Sequence, residues 1–348
     1  MKLLIVTQKV DRNDPILGFF HRWLLEFAKN VDKLTVICLE KGEYDLPNNV
    51  EVHSLGKEEG VSRLHYVYRF YKYIFKFRNE YDSVFVHMNQ VYVVLGGIFW
   101  RMIGKKISLW YTHKSVTLSL RFATKLVDVV FSAAKESFNL KTNKLKILGH
   151  GIDINNLECI NRGPIGNPLR ILVVGRITEI KGIKEIIEAC NILKDENVPF
   201  RLSFVGDPIT KTDFVYLEEV KGLIKKYSLE TQIYFEGSVP NYLIREKYCD
   251  ADIMINPLPT GGLDKVVIEA MTSGVIPFTS NKAFSGYFGG YASDLIFQHE
   301  DSGDLANKII KFLEKIDVLV VRSFMVDMAK EKFNMSSLIK NILENLNK

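Results

Sequence analysis

The chain has 348 residues, 47 % of them hydrophobic and 25 % charged, the proportions of an ordinary globular protein. This length exceeds what one hydrophobic core usually supports, so two domains are expected. No apolar run reaches the roughly 18–20 residues of a membrane-spanning helix. The net charge of +5 conceals an asymmetry: residues 1–165 carry 24 Lys and Arg against 16 Asp and Glu, the remainder 22 against 25. A basic first half points to something anionic as its partner.

The opening "MKLLIVTQKVDRNDP" has a short apolar run and no small-residue cleavage site, so it reads as a first strand and not as a signal peptide. "KLLIVT" (2–7), "KLTVICL" (33–39), "DSVFVHM" (82–88), "KISLWYT" (106–112) and "DVVFSAA" (128–134) read as buried parallel strands. Helical patterns lie between them, the first over 18–30, which implies βαβ units and a sheet covered on both faces. The stretch "VSRLHYVYRFYKYIFKFRNEY" (61–81) has His65, Arg69, Lys72 and Lys76 on one helical face. Leu64, Val67, Tyr68, Tyr71, Ile74 and Phe75 fall on another, expected to be the buried one. Through residues 61–78 the cationic face fits anionic lipid headgroups. No nucleic-acid module is recognisable, and the second half is acidic, so nucleic acid is not expected as a partner. Cys38, Cys159, Cys190 and Cys249 are far apart in sequence with no paired spacing, an argument for a reducing compartment and against both a disulfide framework and a zinc site.

"NRGPIGNP" (161–168) is Gly/Pro-rich and aperiodic and reads as a linker. Beyond it the alternation restarts with "RILVVG" (170–175), a helix to about 194, "FRLSFVG" (200–206), "TQIYFEG" (231–237), "DIMINP" (252–257), a helix from about 264 and "VIPFTS" (275–280). The expected organisation is a Rossmann-like domain over 1–160, the linker, a second Rossmann-like domain over 169–330, and a C-terminal helix over 331–348 crossing back to the first domain. Ligands of doubly wound parallel sheets bind beyond the carboxyl ends of the strands, so a cleft faced by both domains is the expected site.

Two stretches of the second half carry chemistry. In "VVGRITEIKGIKE" a strand ends at Gly175 and a helix begins after Gly182, with Arg176 and Lys181 in the gap. Free backbone N–H groups and two cations there suit a diphosphate. No dinucleotide or P-loop glycine pattern is present. In "INPLPTGGLDKVVIEAMTSGVIPFTSN" (255–281) a Gly-rich loop leads into a helix carrying Glu269, a carboxylate placed to accept ribose hydroxyls.

Together these stretches resemble the family 4 glycosyltransferases, the group 1 type, which have the two-domain GT-B fold. The pattern is G-R-x-x-x-x-K-G (Gly175, Arg176, Lys181, Gly182), a strand end at Val205–Gly206, a Glu-Ala-Met helix (Glu269, Ala270, Met271), then Gly274, Pro277 and Ser280. Gly18 opening the first helix, His113 ending "YTHK" and "GHGID" at 149–153 extend the likeness more loosely to the first half.

The resemblance implies sugar transfer from a nucleoside-diphosphate sugar, with retention and with neither metal nor other cofactor. It assigns catalysis to Arg176, Lys181 and His113, and donor binding to Gly18, Gly175, Gly206, Gly262, Asp264, Lys265 and Glu269. It implies a polysaccharide or lipid-linked glycan acceptor. The enzyme is expected in the cytoplasm, and the 61–78 helix leaves peripheral attachment to the inner face of the membrane open. One departure stands out: the family's first glutamate, eight residues before Glu269, is replaced by Gly261. Asp264 then serves as a sugar contact or as a helix cap. That loss favours a second reading, a non-catalytic nucleotide-binding protein; a sugar-nucleotide epimerase of the same fold, changing the donor without any acceptor, is a third.

Overall fold

The computed structural model describes residues 1–14, 16–159 and 162–347. Ile160 and Asn161, where the expected first domain ends and the linker begins, and Lys348 of the expected C-terminal helix lie outside the described residues. The chain divides into two compact units. The first holds Met1–Asp153, Asn334–Lys348 and the short piece Pro240–Tyr242; the second holds Ile154–Val239 and Leu243–Phe333.

The first unit is built on strands β1 (Lys2–Val10), β2 (Lys33–Lys41), β3 (Val50–Ser54), β4 (Ser83–His87), β5 (Lys106–Trp110), β6 (Val129–Ser132) and β7 (Leu145–Ile147). They form one sheet in the order β3-β2-β1-β4-β5-β6-β7, all pairs parallel. The connections are helices α1 (Phe19–Lys29), α2 (Arg63–Lys76), α3 (Val91–Met102) and α4 (Leu118–Leu126). Alternation along β1 divides the core. Leu3 and Ile5 point to the face covered by α1 and by the C-terminal helix, through Phe20, Trp23, Phe27, Leu338 and Ile342. Leu4 and Val6 point to the other face, covered by α2, α3 and α4 through Phe70, Ile74, Tyr92, Trp100, Leu120 and Ala123.

In α2 the buried positions are Phe70 and Ile74, followed by Phe77 just beyond the helix. This corrects the expected apolar face: Leu64, Val67, Tyr68 and Phe75 are exposed. The helix is apolar on two sides, and periodicity alone does not say which side meets the sheet.

The second unit begins with α5 (Ile154–Leu157) and continues through β8 (Leu169–Val174), α6 (Ile183–Asp195), β9 (Phe200–Val205), α7 (Lys211–Lys226), β10 (Ile233–Phe235), α8 (Ile244–Asp250), β11 (Ile253–Asn256), α9 (Lys265–Thr272) and β12 (Ile276–Thr279). Two short helices, α10 (Ser285–Phe288) and α11 (Ala292–Leu295), precede α12 (Ser302–Lys315) and α13 (Val318–Lys332). The five strands are parallel, in the order β10-β9-β8-β11-β12. The last helix, α14 (Met335–Asn347), packs beside α1 in the first unit.

The cysteine reading is also corrected. Cys159 and Cys249 are joined in a disulfide across a sequence separation of 90. The packing of α5 beside α8 brings them together, which spacing along the chain does not reveal. Cys38 and Cys190 are free and buried, and burial pushes the Cys38 thiol up to about 12. Among the described residues no His, Cys, Asp and Glu group has the makings of a metal site.

Candidate active site

The site is built at the carboxyl edge of the second sheet, where glycines shape the strand ends. Strands β8 and β9 end at Gly175 and Gly206, which have φ of +142° and +141°. A Cβ on Gly206 would lie 2.1 Å from the Gly175 carbonyl oxygen, so only glycine lets the two strand ends meet this closely. A Cβ on Gly175 would in turn lie 3.2 Å from Lys181 Cε, because the Lys181 side chain folds back over the strand end. Gly182 takes the left-handed conformation at φ +54° and turns the chain into α6.

This folding back sets the electrostatics. Burial lowers the Lys181 ammonium pKa below lysine's ordinary value; Asp264 opposes that shift and Arg176 adds to it, so all three groups share one field. Among the described residues, neither the Arg176 guanidinium nor the Lys181 ammonium meets a carboxylate or acceptor within ion-pair or hydrogen-bond distance. The two cations share this field, one of them half-buried, and their donors are ones that an anion placed beside them would satisfy.

The Gly-rich loop 259–264 supplies the other wall. Asn281, buried just past β12, fixes it: its Nδ2 donates to the Gly262 carbonyl at 2.8 Å and to Asp264 Oδ2 at 3.1 Å. Its Oδ1 accepts from the Gly261 N–H at 3.3 Å. Asp264 occupies the N-cap position of α9, but its side chain makes no capping bond. Its carboxylate is turned to Asn281, so the capping alternative is not the one realised. One turn further, Glu269 is buried; Tyr248 Oη donates to its Oε2 at 2.9 Å, and Lys265 Nζ stands 3.6 Å from its Oε1. Burial beside this carboxylate drives the Tyr248 phenol well above its ordinary value, so Tyr248 remains a donor.

Gly175, Arg176, Lys181, Gly206, Gly262, Asp264, Lys265 and Glu269 therefore all lie along one edge of one sheet. Gly18 and His113 belong to the first unit. Gly18 caps α1, where a Cβ would lie 2.4 Å from the Asp14 carbonyl oxygen; close backbone approach is reason enough for glycine. His113 follows β5 and is exposed, its Nδ1 accepting from the Ser115 N–H at 3.1 Å. Two other histidines of the first unit are core residues. His87 stacks on Phe20 with ring centres 3.9 Å apart, its Nδ1 3.2 Å from Thr7 Oγ1. His21 accepts from the Asp45 N–H, and burial lowers its pKa.

Sequence reasoning missed Asn281, Tyr248 and His299. His299 is exposed and hydrogen-bonds the Pro257 carbonyl at 3.1 Å, beside the Gly-rich loop. Only Asn281 left a trace, as the polar residue closing "TSN" at a strand end.

Two parallel-sheet α/β units define a fold class, and solved structures share it. HepE of Anabaena, crystallised with UDP, matches over 100 % of both chains with a TM-score of 0.76 at 18 % identity. This is the GT-B glycosyltransferase fold. Residues 160–319 match the family model for Glycosyl transferases group 1. WcaL of Salmonella typhimurium, named for a glycosyltransferase of colanic acid biosynthesis, is 26 % identical over 59 % of this chain and 50 % of its own length. The amylovoran biosynthesis glycosyltransferase AmsK of Erwinia amylovora is 31 % identical over 40 % of this chain and 34 % of its own. The chain thus spans half or less of the length of the curated relatives it matches.

Proposed function

We propose that this protein transfers a sugar from a nucleoside-diphosphate sugar to a growing polysaccharide or lipid-linked glycan, with retention and without a divalent metal. The observation that carries this reading is the unpaired Arg176 and Lys181 beside the glycine-lined strand ends. In the reaction the bond from the anomeric carbon to the β-phosphate oxygen breaks, and the acceptor hydroxyl oxygen bonds to that carbon from the same face. Its proton passes to the departing phosphate. The diphosphate gains a negative charge as the bond breaks, and cations already in place stabilise that charge without reorganising. Glu269, held by Tyr248, offers its carboxylate to the ribose hydroxyls. Asp264, turned into the site by Asn281, takes the sugar contact that Gly261 cannot make.

HepE was crystallised with UDP and with UDP-glucose, which makes uridine donors the first to test. AmsK and WcaL are named for polysaccharide biosynthesis, which supports a glycan acceptor. The test is release of free nucleoside diphosphate from a panel of nucleotide sugars with a glycan acceptor, with and without EDTA. Release that persists in EDTA is expected; release abolished by EDTA contradicts metal-free chemistry. Gly261 in place of a carboxylate favours one second reading, a nucleotide-binding protein without turnover. Tight nucleotide binding with no release from any donor would establish it.

A further inference from the structure

Helices α2, α3 and α4 lie side by side over one face of the first sheet. Tyr71 Oη donates to the Leu95 carbonyl at 3.0 Å, Phe75 and Phe99 have ring centres 4.2 Å apart, and Gly97 lets α3 approach Leu126 of α4. A helix layer of this kind should be apolar inward and polar outward. Here the outward side is apolar too. On α2, Leu64, Tyr68, Tyr71 and Phe75 follow one another at helical spacing; on α3, Val91, Leu95, Ile98 and Met102; on α4, Leu118 and Phe122. Leu64, Met102 and Leu118 are 83 %, 81 % and 85 % exposed.

The charge on the same layer has one sign. The three helices contain Arg63, Arg69, Lys72, Lys76, Arg101, Arg121 and Lys125 and no Asp or Glu. From 61 to 127 the only acids are Glu80 and Asp82. Arg69 is occupied by Glu59, at 2.6 and 2.8 Å. Among the described residues Arg63, Lys72, Arg121 and Lys125 meet no carboxylate.

We propose that the outer surface of the α2–α3–α4 layer docks on an anionic phospholipid bilayer, seating the three apolar stripes among the headgroups with the cations around them. The cation-only charge selects this occupant. A protein partner or a second copy of this chain explains apolar stripes as well, but a second copy brings the same positive charge and repels. Tyr68 of α2, 62 % exposed, suits the wet–apolar boundary. Among the described residues no helix is long and apolar enough to cross a membrane, so the contact lies in the interface plane. Each cation within reach of the surface multiplies partitioning by about fivefold, and salt shortens that reach. This surface is read independently of the donor chemistry, and its test needs no turnover.

The experiment is co-sedimentation of the full chain with vesicles of phosphatidylcholine alone or with phosphatidylglycerol added, at low and high salt. The wild type is expected to bind the anionic vesicles at low salt and to be released well below about 1 M salt. The double variant Ile98→Glu, Met102→Glu and, separately, Arg121→Glu, Lys125→Glu are each expected to lose at least about tenfold in partitioning. All four positions are exposed, and an unchanged thermal midpoint shows the fold intact. No binding to either vesicle, or binding indifferent to lipid charge and salt, overturns the proposal. So does a concentration-dependent dimer in the ultracentrifuge that the Ile98/Met102 variant dissolves, since a second copy then covers the face.

Discussion

The two edges of the second unit's sheet both gather cations, and they use them in opposite ways. At the amino edge, Arg170 grips the fully buried Asp252 through Nε and Nη2 at 3.0 and 2.9 Å, and Arg322 adds a bond to the same carboxylate at 3.3 Å. Arg162 donates to the carbonyls of Ser273, Tyr248, Cys249 and Ala251, where α8 and α9 end. Burial, with Arg322 nearby, lowers the Arg162 pKa to about 10. Apart from the buried Arg322 Nε, which has no partner, these donors are occupied, and they fasten helix ends to the sheet. At the carboxyl edge, Arg176 and Lys181 have no such acceptors among the described residues, and glycines clear the space beside them. Cation content does not separate structure from function here; what separates them is whether the donors already have acceptors.

That contrast is broken or sharpened by five outcomes. Arg176→Ala or Lys181→Ala should cut turnover by about 10²–10³ with the thermal midpoint unchanged, as steady-state kinetics beside calorimetric melting would show. Arg322→Ala should do the reverse. It removes one of the buried Asp252's partners and costs about 2–3 kcal/mol in urea unfolding, with turnover of the surviving folded protein retained. Glu269→Ala should weaken binding of the nucleoside diphosphate itself by about 1.5–2.5 kcal/mol. Tyr248→Phe, which leaves the carboxylate but not its donor, should cost about 1 kcal/mol in the same titration. The smallest effect is a change with pH. In the proposed reaction donor binding needs the charged Lys181, whose pKa burial lowers. The KM for donor should therefore rise on the alkaline side before the ordinary lysine value of 10.5 is reached, by about twofold where half the ammonium is lost. In the ligand-free protein the sign for folding is opposite. Between the lowered pKa and 10.5 the unfolded chain binds more protons, so the Lys181 contribution to stability rises with pH.

The strand–helix alternation was legible because parallel strands buried on both faces spell continuous apolar runs; "RILVVG" and "FRLSFVG" became β8 and β9 within a residue or two. Strands β3 and β7 escaped notice, being short edge strands with partly exposed residues. The loop with Arg176 and Lys181 was legible because glycine and charge break an apolar run. What fixes the loop geometry was not: Asn281, Tyr248 and the Cys159–Cys249 bridge act across 17 to 90 residues of sequence, and nothing local marks them. The outer face of α2 was misread for a related reason, because a helix apolar on two sides carries no record of which side the sheet takes.

Isothermal titration of UDP into the wild-type protein, the Arg176→Ala, Lys181→Ala double variant and the Arg162→Ala variant, without added metal, tests the diphosphate receptor most directly. The account predicts a wild-type affinity that the double variant loses by at least about tenfold for each missing charged contact, and that Arg162→Ala retains. Equal affinity in the wild type and the double variant would contradict it.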